Sequence, residues 1–149
     1  MKKVIMFLVT VCIFVSSGEC FAENWKYAVT SMGGDKYYVD MDSVYEQKLP
    51  FGASDIFFYV KITYGSDGKR KMSKKYGEPI ACAIERWAVS FREYFVTIVS
   101  YKIYNTSGKV VSKSSRELDY NNYEEIKENT IADKVADLVW KTKFLPRLQ

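Results

Sequence analysis

Residues 56–64 read IFFYVKITY, the most regular alternation in the chain. Phe58, Val60 and Ile62 fall on one side of an extended backbone and Tyr59 falls on the other, because successive side chains of a strand point to opposite faces. The stretch therefore predicts a β-strand with one face buried.

The rest of the chain is also rich in residues that favour strands. Aromatic residues make up 16% of the sequence, and aromatic and β-branched side chains favour strands. We expect strands at residues 25–29, 36–41, 83–104 and 109–112, with a helix at 79–86 as an alternative. Turns are expected at 32–35 and 105–108, a loop at 45–54, and a basic, flexible stretch at 69–78.

The C-terminal part has a different period. Ile131, Val135, Leu138 and Val139 follow helical spacing, and Thr130 precedes them as an N-cap. Lys141 and Lys143 suit the end of this helix and Pro146 stops it. Strands first and one helix last predict the α+β class, an antiparallel sheet of about five to six strands with a C-terminal helix packed on one face.

Residues 1–22 have the pattern of a secretory signal peptide. Lys2 and Lys3 precede a 12-residue run, 4–15, in which Thr10 is the only polar side chain, and Ala22 provides a small exit residue. Such a run is too short to cross a bilayer as a helix. We expect cleavage before Glu23, one domain over residues 23–149, no transmembrane span afterwards, and export to the periplasm or cell surface of a Gram-negative bacterium.

The composition restricts the chemistry. The chain has no His, which removes the commonest general base and the usual zinc nitrogen ligand. Asp40 and Asp42 are too few for a Ca²⁺ site and are interpreted as local hydrogen-bonding groups at a strand end. We therefore expect no enzyme activity, no cofactor and no metal.

Five cations stand close together in the basic stretch and form the candidate binding surface: Lys69, Arg70, Lys71, Lys74 and Lys75. They suit an anionic glycan, lipid phosphates or an acidic protein, and a solvated connector is the alternative. The modest net charge of +4 and the export signal argue against nucleic acid. Tyr120, Tyr123 and the Tyr37–Tyr38 pair are a second candidate surface, with core and edge packing as the alternative.

Cys82 is the only Cys left after signal cleavage, and we expect a buried apolar side chain there. Pairing with another chain is the alternative, so a homodimer stays open.

Several short motifs resemble the bacterial surface-adhesin protein E-like family. They are Trp25 at a strand start, YYVD at 37–40 followed by DSV at 42–44, the strand near 58–64, YNTSGKVVS at 104–112 and IADKVADLV at 131–139. The resemblance implies an antiparallel sheet under a C-terminal helix, in an exported protein. It also implies kinship to an outer-membrane adhesin that binds host matrix and serum proteins.

The chain departs from that family at one feature. The family often pairs a mid-chain Cys with one at the end of the last helix, and here Ser90 and Trp140 occupy those positions. The matching motifs are structural, so no binding residue is carried over. The sequence thus predicts an exported, non-enzymatic binding protein that contacts host matrix or envelope macromolecules, with a periplasmic module for a small ligand or an envelope partner as the alternative. An apolar pocket with converging polar groups would favour the second.

Overall fold

The computed structural model describes residues 24–49 and 53–148. The predicted signal peptide, residues 1–22, lies outside the described residues. Among the described residues, no helix combines the length and the apolarity needed to cross a membrane.

The structure is an antiparallel sheet with a C-terminal helix, as the sequence predicts. Six strands follow one another in sequence order, each pairing with the next, and a short seventh strand pairs with the fifth. The sheet curls into a half-barrel. The elements are β1 (Trp25–Thr30), β2 (Lys36–Lys48), β3 (Ser54–Thr63), α1 (Ser66–Tyr76), β4 (Ile80–Ser90), β5 (Phe95–Asn105), β6 (Val110–Ser115), β7 (Glu124–Glu125) and α2 (Ile131–Val139).

The predicted alternation in β3 is confirmed. Phe58, Val60 and Ile62 lie in the main core cluster, on the face of the sheet that packs against α2, which we call the inner face. On the outer face Phe57 joins a small second cluster, while Tyr59 stays 41% exposed. The curled sheet is therefore buried mainly on its inner side.

Helix α2 begins as predicted. The Thr130 side chain accepts a hydrogen bond from the backbone N–H of Asp133, as an N-cap does. Val135 and Val139 are fully buried in the main core, whereas Leu138, expected on the buried face, is only partly buried. The backbone continues past Val139 through a π turn, Trp140–Phe144, and a 3₁₀ turn, Leu145–Arg147.

The prediction of a flexible loop at residues 69–78 is wrong, because these residues form most of α1. Lys and Arg are good helix formers, so a run of them is compatible with a helix as well as with a loop. Gly77 ends the helix in the left-handed conformation, with φ 74°, and its N–H donates to the carbonyl of Ser73. Met72 and Tyr76 anchor the helix against the main core.

Two other expectations are corrected. The alternative helix at 79–86 is absent, because β4 begins at Ile80 and pairs with strands on both sides. The loop expected at 45–54 is shorter, since β2 runs on to Lys48 and β3 begins at Ser54. The stretch 83–104 consists of two strands, β4 and β5, joined by a turn in which Tyr94 has φ 59°.

The pair Asp40 and Asp42 lies within β2 rather than at its end. The register between β2 and β3 shifts after Asp40, and hydrogen bonds support the irregularity. Asp40 Oδ1 accepts from the N–H of Asp42 at 3.1 Å, and the Ser43 hydroxyl accepts from the N–H of Tyr59 at 2.9 Å. The interpretation of the two carboxylates as local hydrogen-bonding groups fits this geometry for Asp40. No cluster of three or more potential metal-ligating side chains occurs in the described part of the chain.

Candidate functional site

Part of the inner face is left open as a cleft beside the start of α2. Helix α2 contacts β1 and β2, so it covers one side of the curled sheet. The remaining space has a volume of about 520 Å³. Its lining comprises Tyr37, Ile62, Glu85, Trp87, Val96, Thr97, Ile98, Arg116, Asn122, Glu124, Thr130, Ile131 and Ala132.

Glu85 is the charged residue that β4 contributes to the cleft. It alternates with the buried Ala83 and Trp87, which places it on the inner face, and its cross-strand neighbours are Val60 and Tyr101. Its Oε2 accepts a hydrogen bond of 2.7 Å from Trp87 Nε1. The three ion pairs of the described residues do not include Glu85.

The electrostatics of this carboxyl follow from its surroundings. Burial raises the pKa of Glu85, and the hydrogen bond from the Trp87 indole opposes this effect. Burial also raises the pKa of Tyr37 and Tyr64, and the nearby charges of Glu85 and Asp35 raise it further. Both phenols therefore stay protonated beside Glu85 and are available as hydrogen-bond donors.

The rim of the cleft comes from the segment between β6 and α2. Strand β7 fixes this segment to β5, with Glu124 opposite Val96, and the N–H of Ile126 donates to the Tyr94 carbonyl at 2.8 Å. Tyr123 anchors the segment to the outer face, because its hydroxyl donates to Asp55 Oδ2. The chain thus passes from the outer face to the inner face around the edge of β5.

The five predicted binding residues all lie on α1, and none lines the cleft. All five side chains are exposed, and Asp67 is the only acid of the helix. Arg70 pairs with Asp67 at 3.1 Å, which leaves the four lysines Lys69, Lys71, Lys74 and Lys75 without an ion pair among the described residues. The structure therefore brings the five cations together on a short, ordered surface.

The tyrosines that formed the second candidate surface are dispersed. Tyr37 lines the cleft on the inner face, and Tyr38 lies on the outer face, where its ring meets Tyr27 edge-on at 5.8 Å. Tyr120 and Tyr123 stack at 5.4 Å, with Tyr123 held by Asp55. Packing thus accounts for Tyr37 and Tyr123.

Cys82 is buried, as predicted.

Sequence reasoning missed the cleft and Glu85. The available signal is a single charged residue, between Ala83 and Trp87, at a position where the alternation of the strand predicts an apolar side chain. That signal does not reveal which part of the inner face the helix leaves uncovered.

No family model matches the chain, and neither the curated proteins nor the solved structures contain a match to it. The kinship to surface-adhesin protein E-like proteins stays a prediction from the sequence motifs.

Proposed function

We propose that this chain is an exported, non-enzymatic binding protein of the bacterial envelope that holds a small ligand in the cleft beside α2. The observation that carries the proposal is Glu85, a carboxyl with no ion-pair partner among the described residues, on the lining of a cavity of about 520 Å³ that combines apolar side chains with polar ones. Ligand pockets typically have volumes of about 300–1,000 Å³ and combine apolar walls with a few polar groups.

Binding is favoured over catalysis by the chemistry around the carboxyl. Its hydrogen-bond partner is the Trp87 indole N–H, which donates and does not titrate. The phenol of Tyr37 has a raised pKa and stays protonated. These two donors orient a ligand, and no described lining residue is a His, Cys or Lys that could work with Glu85 as a second acid–base or nucleophilic group.

The test is occupancy of the cleft by small amphipathic molecules. We would record methyl NMR spectra of the purified protein with a library of such molecules and expect shifts at Ile62, Ile98 and Ala132, which line the cleft. Ala132→Trp should fill the cleft and abolish binding. The matched control is Lys134→Trp, which adds the same ring to an exposed position of α2 outside the lining.

The proposal predicts that the library shifts the Ile62 and Ile98 methyls in the control and not in Ala132→Trp. Equal binding by both variants, or no response at the three methyls, would contradict it.

The surface of α1 supports a second candidate function, contact with an anionic macromolecule such as an acidic glycan or protein. Five exposed cations on one eleven-residue helix carry this candidate. Its attraction is Coulombic and weakens as salt shortens the Debye length from about 10 Å at 0.1 M to about 3 Å at 1 M.

To test it, we would change the five α1 cations together to Gln, because Gln preserves helix propensity. A matched variant replaces five exposed lysines elsewhere: Lys26, Lys36, Lys102, Lys109 and Lys113. Heparin binding should fall sharply and lose its salt dependence only in the α1 variant. Equal losses in both variants would show a response to net charge alone, and the candidate would fail.

A further inference from the structure

The lining of the cleft indicates which chemical class of ligand it takes. We propose that the cleft selects a small organic cation, an ammonium group attached to an apolar body, with the ammonium on the Glu85 carboxylate and the body against the neighbouring apolar walls. This inference rests on the proposed function, since it concerns the same cleft.

The Glu85 carboxylate has hydrogen-bond acceptor positions that the described residues leave unused. A carboxylate offers about four acceptor positions on its two oxygens. Among the described residues, Glu85 accepts one hydrogen bond, from Trp87 Nε1 to Oε2. Its remaining acceptor capacity, next to the cleft, suits the three donors of an ammonium group.

A partly buried negative charge such as that of Glu85 is unfavourable alone and favourable next to a cation. A carboxylate removed from water without a counter-charge is unfavourable, and a cation at hydrogen-bond distance reverses the balance. The raised pKa of Glu85 is consistent with such an unmet charge. A bound ammonium would supply the opposite charge that the described ion pairs do not supply.

The walls fit the rest of such a molecule. Ile62, Ile98 and Ile131 provide aliphatic surface, and Trp87 and Tyr37 provide aromatic rings. These side chains can bury the apolar body of a ligand whose ammonium group lies on Glu85.

Arg116 offers the competing interpretation, an anionic ligand. Among the described lining residues it is the only cation, and it is an exposed side chain of the rim segment, where Glu124 also contributes to the lining. Solvent and salt screen exposed charges far more than partly buried ones. The less exposed Glu85 should therefore decide the sign of the ligand's charge.

The experiment compares three probes that share one body and differ in charge: phenylbutylammonium, phenylbutanol and phenylbutanoate. Dissociation constants are measured at neutral pH by methyl NMR titration. We expect the ammonium to bind at least about tenfold more tightly than the alcohol, as a charge-assisted hydrogen bond allows, and the carboxylate to bind most weakly.

Two matched variants locate the charge. Glu85→Gln keeps an acceptor for the Trp87 indole and removes the negative charge, so it should bring the ammonium and the alcohol to equal affinity while the alcohol still binds. Glu117→Gln removes an exposed charge of the same rim segment at a residue that does not line the cleft, and it should leave the preference intact.

The outcomes distinguish a failure of the proposed ligand class from a failure of the proposed binding function. If none of the probes shifts the cleft methyls, the inference and the proposed function both fail. If the alcohol binds as well as the ammonium, or the carboxylate binds best, the inference is overturned while the cleft remains a binding site. A preference that survives in Glu85→Gln or disappears in Glu117→Gln would overturn the assignment to Glu85.

Discussion

The hydrogen bond between Tyr123 and Asp55 should be a main anchor of the rim segment. Asp55 is completely buried, its Oδ2 accepts from the Tyr123 hydroxyl, and its Oδ1 has no hydrogen-bond partner among the described residues. Tyr123→Phe would leave a buried carboxyl without that donor. Hydrogen bonds to charged groups contribute about 1.5–3 kcal/mol, so we expect the free energy of unfolding to fall by about that amount.

Denaturant unfolding at neutral pH measures this loss, provided that the slope against denaturant concentration is unchanged. Tyr120→Phe is the matched control, because the Tyr120 ring stacks on Tyr123 and its hydroxyl makes no hydrogen bond within the described ranges. It should cost no more than about 0.5 kcal/mol.

A double-mutant cycle with Asp55→Ala isolates the interaction. If the Tyr123 hydroxyl acts through Asp55, Tyr123→Phe in the Asp55→Ala background should cost no more than about 0.5 kcal/mol. The amide of Ile126, which follows Tyr123 and donates to the Tyr94 carbonyl at 2.8 Å, should exchange faster in Tyr123→Phe. Equal stabilities of the Tyr123 and Tyr120 variants would refute the reasoning that this bond holds the rim.

Two further predictions concern α2 and Glu85. Val139→Ala removes most of a fully buried side chain and should lower the free energy of unfolding by about 1.5–3 kcal/mol in denaturant melts. Asp137→Ala breaks an exposed pair with Lys141 at 2.8 Å and should cost no more than about 0.5 kcal/mol. Equal costs of the two changes would contradict the placement of α2. Because burial raises the pKa of Glu85 above its ordinary 4.5, the protonated carboxyl favours folding at low pH and that advantage is lost as pH rises through the raised value. As pH rises above about 4.5, the free energy of unfolding of the unmodified protein should therefore fall relative to that of Glu85→Gln, by no more than about 1.4 kcal/mol per pH unit. A stability difference between the two proteins that does not change with pH would contradict this prediction.

Local periodicity was sufficient for the sheet and the C-terminal helix. The alternation around Phe58 and the helical spacing of Val135 and Val139 each record a buried face, and burial imposes these patterns directly. The α1 helix could not be distinguished in this way. Its cations are all exposed, and Met72 and Tyr76 are the apolar side chains that pack against the core among the described residues, so the apolar pattern is too sparse to separate a helix from a solvated loop.

The extent of β2 was missed for a different reason. The strand contains an irregularity after Asp40, held by the Asp42 N–H and the Ser43 hydroxyl. A shift of this kind interrupts the two-residue period on which strand prediction depends, so the pattern ends before the strand does.

The cleft follows from a mismatch between helix and sheet that periodicity does not reveal. Helix α2 has nine residues and is therefore about 14 Å long at 1.5 Å per residue. Six strands spaced by about 4.8 Å extend for about 24 Å across the sheet. One helix of that length, seated on β1 and β2, leaves part of the inner face of β4 and β5, around Glu85 and Ile98, open as the cleft. A carboxylate such as Glu85 would be strongly unfavourable under a packed helix, but it is tolerated at an open cleft. Its place among the apolar, inward-facing side chains of β4 therefore marks the part of the sheet that α2 does not cover.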